Sequence, residues 1–489
     1  MGIIQKQGIR NTVITYIGIF MGFINLMVLQ PIFLTAEEIG LTRVLFEFST
    51  LVAVFLPLGV GHITVRYFPT FKDREKKHRG FFGFMLLFPV TGFLFTSLFL
   101  FLFRDFFIAY YAKESKLFTE YFNYVIPLSF FIGLVTVFNI YCFALFRTTF
   151  PSFLNDIITR IFVICVISIY FLKWININQF ILLFVLAYGF QMLILLIYIF
   201  WIDRPGFKIN FPYLKQQNLP GIFNYGFLLA FASVASVGLK SLGTIMTGHY
   251  LQLSLVGIYA IAAFIPTFIE APLNSLEKIS NTKIAAALAL NNKNEIRDIY
   301  YKSSRYLLLL GGLLFLGVNI NIESLLNFLP AEYHSGVNVV LIISIGTLFN
   351  MAAGSNTSII FNSERYRFGA FLLIFLVVIA FACNMIFIPM FGIEGAAVAA
   401  AVSSLLYSLI KYLFIWNHNK MQPFDLNTVK IIFLIGFCFA LNYFIPVIEN
   451  NFLNIILRSV IITLVYSSGA YFLRIVPEFD KHIPFAVKK

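Results

Sequence analysis

Apolar residues run along this chain in about fourteen stretches of roughly twenty positions each, long enough for a helix to cross a hydrocarbon layer of about 30 Å. The stretches begin near residues 12, 44, 81, 121, 154, 179, 220, 254, 305, 337, 368, 395, 428 and 453. Lipid offers no partner to a backbone amide, so each crossing must close its hydrogen bonds internally, and helices of this length do so. The pattern predicts an all-α integral membrane protein of about 14 transmembrane helices.

Composition agrees with the pattern. Hydrophobic residues make up 60% of the 489 positions and charged residues 12%, against about 45–50% and 25% in a soluble domain. The formal charge of +13 does not point to nucleic acid, because the basic residues recur in every second gap rather than on one module. They include Lys72, Lys76, Lys77 and Arg79; Arg204 and Lys208; Lys278, Lys283, Lys293 and Arg297; Arg365 and Arg367; Lys411, Lys420 and Lys430; and Lys481, Lys488 and Lys489. The intervening gaps carry Glu37, Glu38, Glu323, Glu332, Glu394 and Glu449 instead. The positive-inside rule therefore puts the basic gaps and both termini in the cytoplasm. No cleavable signal peptide is expected, and the first span reads as an uncleaved anchor. Cys142, Cys165, Cys383 and Cys438 have no metal-ligand spacing and read as packing residues, so no metal or cofactor is expected.

Polar residues inside the apolar stretches are the candidate site. Ser233, Ser236, Lys240, Thr244 and Thr247 recur at steps of three and four and share one helix face. A lysine within a span costs about 2.5 to 3.5 kcal/mol on insertion scales, so such residues face a bundle interior or water. Asn11, Thr15, Gly18, Gly22 and Asn25 form a similar face in the first span, where the glycines equally suit close helix packing. Gly59, His62 and Arg66, and then Thr347, Asn350, Gly354 and Thr357, repeat the pattern. The substrate-binding candidates are Arg66, Lys240, Asn25, Ser233, Ser236 and Asn350, whose fixed charges suit an anion. Arg66 and Lys240 also suit side chains reaching to the headgroups. Asp156 and Arg160 stand one turn apart and predict an intrahelical ion pair. Glu270, four residues beyond Pro266, is the candidate for ion coupling. No His, Asp or Glu cluster of the kind an enzyme needs appears, so no catalytic residue is assigned.

A weak internal repeat pairs Gly8-Ile9-Arg10-Asn11 with Gly221-Ile222-Phe223-Asn224, and Glu38-Ile39-Gly40-Leu41 with Leu255-Val256-Gly257-Ile258. Repeats of this kind divide the chain into a six-helix lobe over 1–203, a second over 204–418, and two further helices with a cytoplasmic tail over 419–489.

Phe391-Gly392-Ile393-Glu394-Gly395-Ala396-Ala397, followed by Ala399, Ala400 and Ser403, resembles the outer turn and small-residue helix of polysaccharide biosynthesis exporters. Val256-Gly257-Ile258-Tyr259, and Gly59-Val60-Gly61 with Arg66-Tyr67-Phe68-Pro69, are similar to the same group. The resemblance is to the polysaccharide branch of the multidrug, oligosaccharidyl-lipid and polysaccharide exporter superfamily. It implies two six-helix lobes in a V-shaped arrangement and alternating access. It also implies a flippase for an undecaprenyl-pyrophosphate-linked oligosaccharide in surface polysaccharide biosynthesis, its partners being that lipid, the membrane and polysaccharide-assembly enzymes. The alternatives are a cation-coupled drug exporter of the same fold, disfavoured by stripes that lack a carboxylate, and a membrane-embedded polymerase or acyltransferase.

Overall fold

The computed structural model describes residues 3–73, 75–215 and 219–475. Arg74, the basic tail with Lys481, Lys488 and Lys489, and the side chains of Asn11 and Lys278 lie outside the described residues. The regular structure is helical. In chain order the helices used below are α1 (Ile3–Phe23), α2 (Ala36–Ala53), α3 (Val60–Phe71), α4 (Phe81–Leu102), α5 (Val125–Ala144), α6 (Thr159–Phe171), α7 (Ile177–Ile202), α8 (Leu219–Tyr250), α9 (Leu253–Phe264), α10 (Thr267–Ala289), α11 (Lys293–Asn319), α12 (Val337–Ala352), α13 (Asn356–Asn362), α14 (Tyr366–Asn419), α15 (Leu426–Leu441) and α16 (Asn451–Phe472).

Among the described residues ten helices are long and apolar enough to cross a membrane, or eleven if α9 and the first part of α10, which meet at 47°, form one broken span. The difference from fourteen apolar stretches has local causes. The stretch near 44 falls on α2 and α3, which are interrupted between Val54 and Gly59, and the stretch near 305 falls on α11, whose first turns carry charge. The stretches near 368 and 395 fall together on α14, whose 54 residues would measure about 80 Å if straight. It is a hairpin instead. The backbone breaks at Gly392 (φ 59°, ψ −134°), a conformation open essentially to glycine alone, and Phe368 stacks on Phe414 with ring centroids 3.9 Å apart.

The chain packs as two compact units, residues 1–257 and 258–489. In the first, the core gathers Phe68, Phe81, Phe82, Phe138 and Tyr141 from α3, α4 and α5. Here α8 runs antiparallel to α2, as successive close approaches show: Gly40 meets Leu253 and Glu47 meets Ser241; it also meets α3, where His62 reaches Ser233 and Gly59 lies against Gly226. Gly59 is needed twice over, because its φ is +80° and a Cβ there would overlap the Gly226 carbonyl. The basic gap after α3 is clasped from beneath. His78 is 1% exposed, accepts the Asp73 amide at Nδ1 (3.0 Å) and so donates from Nε2 to Asp203 (2.8 Å), which also accepts from the Tyr141 hydroxyl at 2.6 Å.

In the second unit α11 is the hub, packed against α10, α12, α15 and α16. The charged connection from Leu276 to Arg305 is helical on both sides of a turn at Leu290–Asn292. Its Ile284, Ala287, Ile296 and Tyr300 bury against Ile359, Ile360, Ile415 and Met421. Arg458 ties α16 to the end of α15, donating to Asn442 (2.7 Å), Asn454 (3.1 Å) and the Ile445 carbonyl (3.2 Å).

The start of α15 is fastened to α11 by Asp425. It accepts from the Tyr301 hydroxyl, from Asn427 (2.8 Å), from the Thr428 amide (3.0 Å) and from Arg305 (3.3 Å). Partial burial pushes this carboxyl up, but those donors together outweigh it and hold it below its ordinary value. A depressed native value means that the stabilisation is complete above the unfolded value of about 3.9 and is lost as pH falls through the native one. Asp425→Asn should therefore lower the thermal midpoint at neutral pH, and the gap to the unsubstituted protein should close on acidification below about pH 4. A gap that stays constant with pH would count against the clasp.

Candidate functional site

Two stretches of π-helix in the first unit set the site's geometry. Ile24–Leu29 follows α1, and Leu154–Ile158 precedes α6. Widened turns of this kind occur mostly at functional sites, because they release the regular ladder and re-aim side chains. The first carries Asn25, which is 8% exposed and whose Oδ1 meets no protein donor among the described residues. The second carries Asn155 and Asp156. They are brought together because Gly18 lies against Asp156, and a Cβ on Gly22 would overlap the Arg160 guanidinium.

From this junction a polar layer spreads through the unit. Arg160 donates to the Gly18 carbonyl, with Asp156 as its electrostatic neighbour; the expected intrahelical pair is thus opened out onto the backbone of α1. Arg43 of α2 donates to Gln30 at 3.3 Å and lies in the field of Glu47, Tyr188 and Arg160. Glu47, one turn along, accepts from Ser241 of α8 at 2.6 Å, and Gln191 of α7 donates to Asn155. Six segments of the unit therefore meet through hydrogen bonds and opposed charges. Two arginines, Arg43 and Arg160, thus stand among two carboxylates, Glu47 and Asp156.

The sequence-identified cations lie on α3 and α8. Ser233 lies 2.9 Å from His62 Nε2 and also donates to the Leu229 carbonyl at 3.1 Å, so the stripes of α3 and α8 do meet. Arg66, four residues beyond His62, is exposed, with its guanidinium 5.4 Å from the Tyr67 ring. Ser236 and Lys240 are exposed on α8, Lys240 directly before the buried Ser241.

The other candidates belong to the second unit. Asn350 of α12 accepts from Ser408 of α14 at 3.2 Å, and Ser404 donates to the Gly346 carbonyl at 3.3 Å. Glu270 is half-buried in the first turn of α10, just past the bend. Lys411, counted from sequence among the basic gaps, is instead 2% exposed inside α14. Its ammonium donates to Thr357 at 3.1 Å and sits 3.8 Å from the Tyr407 ring centroid, with Glu277 in its field. Among the described residues no group of three or more His, Cys, Asp or Glu could hold a metal ion.

The architecture has known counterparts. The solved lipid II flippase MurJ, in an inward closed conformation, superposes with a TM-score of 0.73 over 95% of this chain and 99% of its own, at 14% identity. An inward-facing multidrug resistance MATE transporter of the MOP superfamily gives 0.62 over 78% of this chain and 90% of its own, at 12% identity. This is the fold of the MOP superfamily of transporters. A further member, a transporter from Pyrococcus furiosus described as having a binding pocket of reversed polarity, gives 0.54 over 83% of this chain and 94% of its own, at 14% identity. All three are transporters rather than enzymes, in line with the absence of an assigned catalytic group. No family model matches the chain, and no curated protein matches its sequence.

Sequence reasoning missed Arg43 and passed over Glu47, although the signal was present: an arginine and a glutamate at i and i+4 in the otherwise apolar run from Ile39 to Ala53. Glu47 also supplies the carboxylate that the stripes lacked. Glu47→Ala would strip Ser241 of its acceptor and Arg43 of its nearest carboxylate, and should cost about 2 kcal/mol. Glu47→Gln keeps an acceptor for Ser241 and should cost less. Thermal unfolding of the purified variants checks this, and equal midpoints for all three proteins would remove the layer from the support of the fold.

Proposed function

We propose that the chain is a flippase for a pyrophosphate-linked lipid oligosaccharide, of the undecaprenyl type, acting by alternating access in a bacterial inner membrane. One observation carries the reading: on a transporter fold, the polar stripes of α3 and α8 meet at His62 and Ser233, and each of these two helices also carries an exposed cation, Arg66 and Lys240. Both attract the anionic headgroup, while Asn25, Ser233, Ser236 and Asn350 offer hydrogen bonds to sugar hydroxyls. Glu270, beside the bend between α9 and α10, is the ion-coupling residue in this reading. The basic gaps support cytoplasmic termini. The two lobes, 1–203 and 204–418, and the appended 419–489 describe repeat order, in which α8 opens the second half even though it packs with residues 1–257. Polysaccharide-assembly enzymes are the partners that would load and consume the substrate.

A cation-coupled drug exporter is the second reading, favoured by Glu47 and Asp156 in the polar layer. Reconstituted vesicles separate the two. Transfer of a fluorescent undecaprenyl-pyrophosphate saccharide between leaflets, read by a membrane-impermeant quencher, should depend on the protein. Arg66→Gln and Lys240→Gln should each slow it about tenfold, the equivalent of about 1.4 kcal/mol. Cation-driven accumulation of a lipophilic drug without any transfer of pyrophosphate lipids would overturn the flippase and support the exporter.

A further inference from the structure

We infer that the first unit holds a second, separate site: a groove for the phosphate of an anionic glycerophospholipid, at the charged end of α1. A cavity of about 370 Å³ lies there, lined by both Arg10 and Arg147. Arg147 is presented by the turn that ends α5: Phe146 takes a left-handed φ of 59° and the Arg147 amide closes onto the Cys142 carbonyl at 2.9 Å. Thr149 adds a hydroxyl, and among the described residues no carboxylate lines the cavity. Ile14 and Phe153 supply an apolar side.

Charge, depth and shape together select the occupant. Two guanidiniums facing one space suit a phosphate, which they bind through paired donors, and neither arginine belongs to the polar layer around Arg43 and Arg160. The floor is Tyr198 stacked on Phe150, with ring centroids 4.2 Å apart. Trp201, one turn along α7, is 79% exposed, and aromatic side chains at the end of a spanning helix mark the headgroup level. Lys72, with its ammonium 5.2 Å from the Phe146 ring, adds a cation at the same end. A phosphate at this level arrives with acyl chains that need apolar wall, which Ile14 and Phe153 provide, and this favours a phospholipid over a free anion. The consequence falls on α1, which packs on the Thr149–Phe153 helix and the π-turn after it. A phosphate bridging Arg10 and Arg147 fastens the end of α1 to the turn after α5 and so holds Gly18 and Gly22 against the polar layer.

Thermal unfolding of the full chain in nanodiscs tests this. Replacing about one quarter of a phosphatidylcholine bilayer by phosphatidylglycerol should raise the midpoint by about 3 °C. The double variant Arg10→Gln/Arg147→Gln should lose at least half of that rise. A control with the same charge change elsewhere, Lys76→Gln/Lys420→Gln, should keep it, and inorganic phosphate added to pure phosphatidylcholine discs should not reproduce it. An undiminished rise in the double variant, an equal loss in the control, or the same rise with inorganic phosphate would each overturn the site. Should the double variant not fold, Arg147→Gln against Arg147→Lys decides: a smaller rise in the first alone supports the groove, and equal rises overturn it.

Discussion

Hydrocarbon gives a buried polar group nothing to bond with, and the first unit is organised around that constraint. Arg43, Glu47, Asp156, Arg160 and Gln191 all sit on helices that would otherwise be apolar, and each is answered by a group on another segment or by an opposed charge. The Glu47–Ser241 bond matters most among these, because it joins α2 to α8 and so fixes the antiparallel pairing that brings His62 onto Ser233. Glycine makes that pairing possible: Gly40, Gly59 and Gly226 remove side chains where the backbones must approach, and Gly18 and Gly22 do the same for α1. Close packing and polar pairing are thus the same device seen from two sides.

The charges of the first unit are not all placed alike. Two arginines and two carboxylates stand within the polar layer, whereas Arg66 and Lys240 are exposed on α3 and α8. The second unit places its buried cation differently: Lys411 is enclosed by Thr357 and Tyr407, with Glu277 in its field, and presents no exposed charge.

The polar stripes on α3 and α8 were legible because helical periodicity is a property of sequence order: Ser233, Ser236 and Lys240 had to share a face wherever the helix went. That Ser233 would meet His62, and that the next residue, Ser241, would bury against Glu47, was not legible, since the two helices are separated by well over a hundred residues. Lys411 shows the reverse error. Its neighbours in sequence include Lys420 and Lys430, and a charge near the end of an apolar run reads as the start of a gap. The fold of α14 back on itself at Gly392 places it inside the packed hairpin instead.

Sequence alone determined the class of this protein, because the lengths of apolar runs and the absence of polar partners in lipid leave only a bundle of spanning helices. It also determined which faces carry polarity, and the turn at Gly392 was already marked by its residues. Tertiary structure decided which groups face each charge. It did so because an arginine within the membrane takes its meaning from what stands opposite: beyond its neighbours in sequence, folding alone brings Tyr188 beside Arg43 and the Gly18 carbonyl beside Arg160.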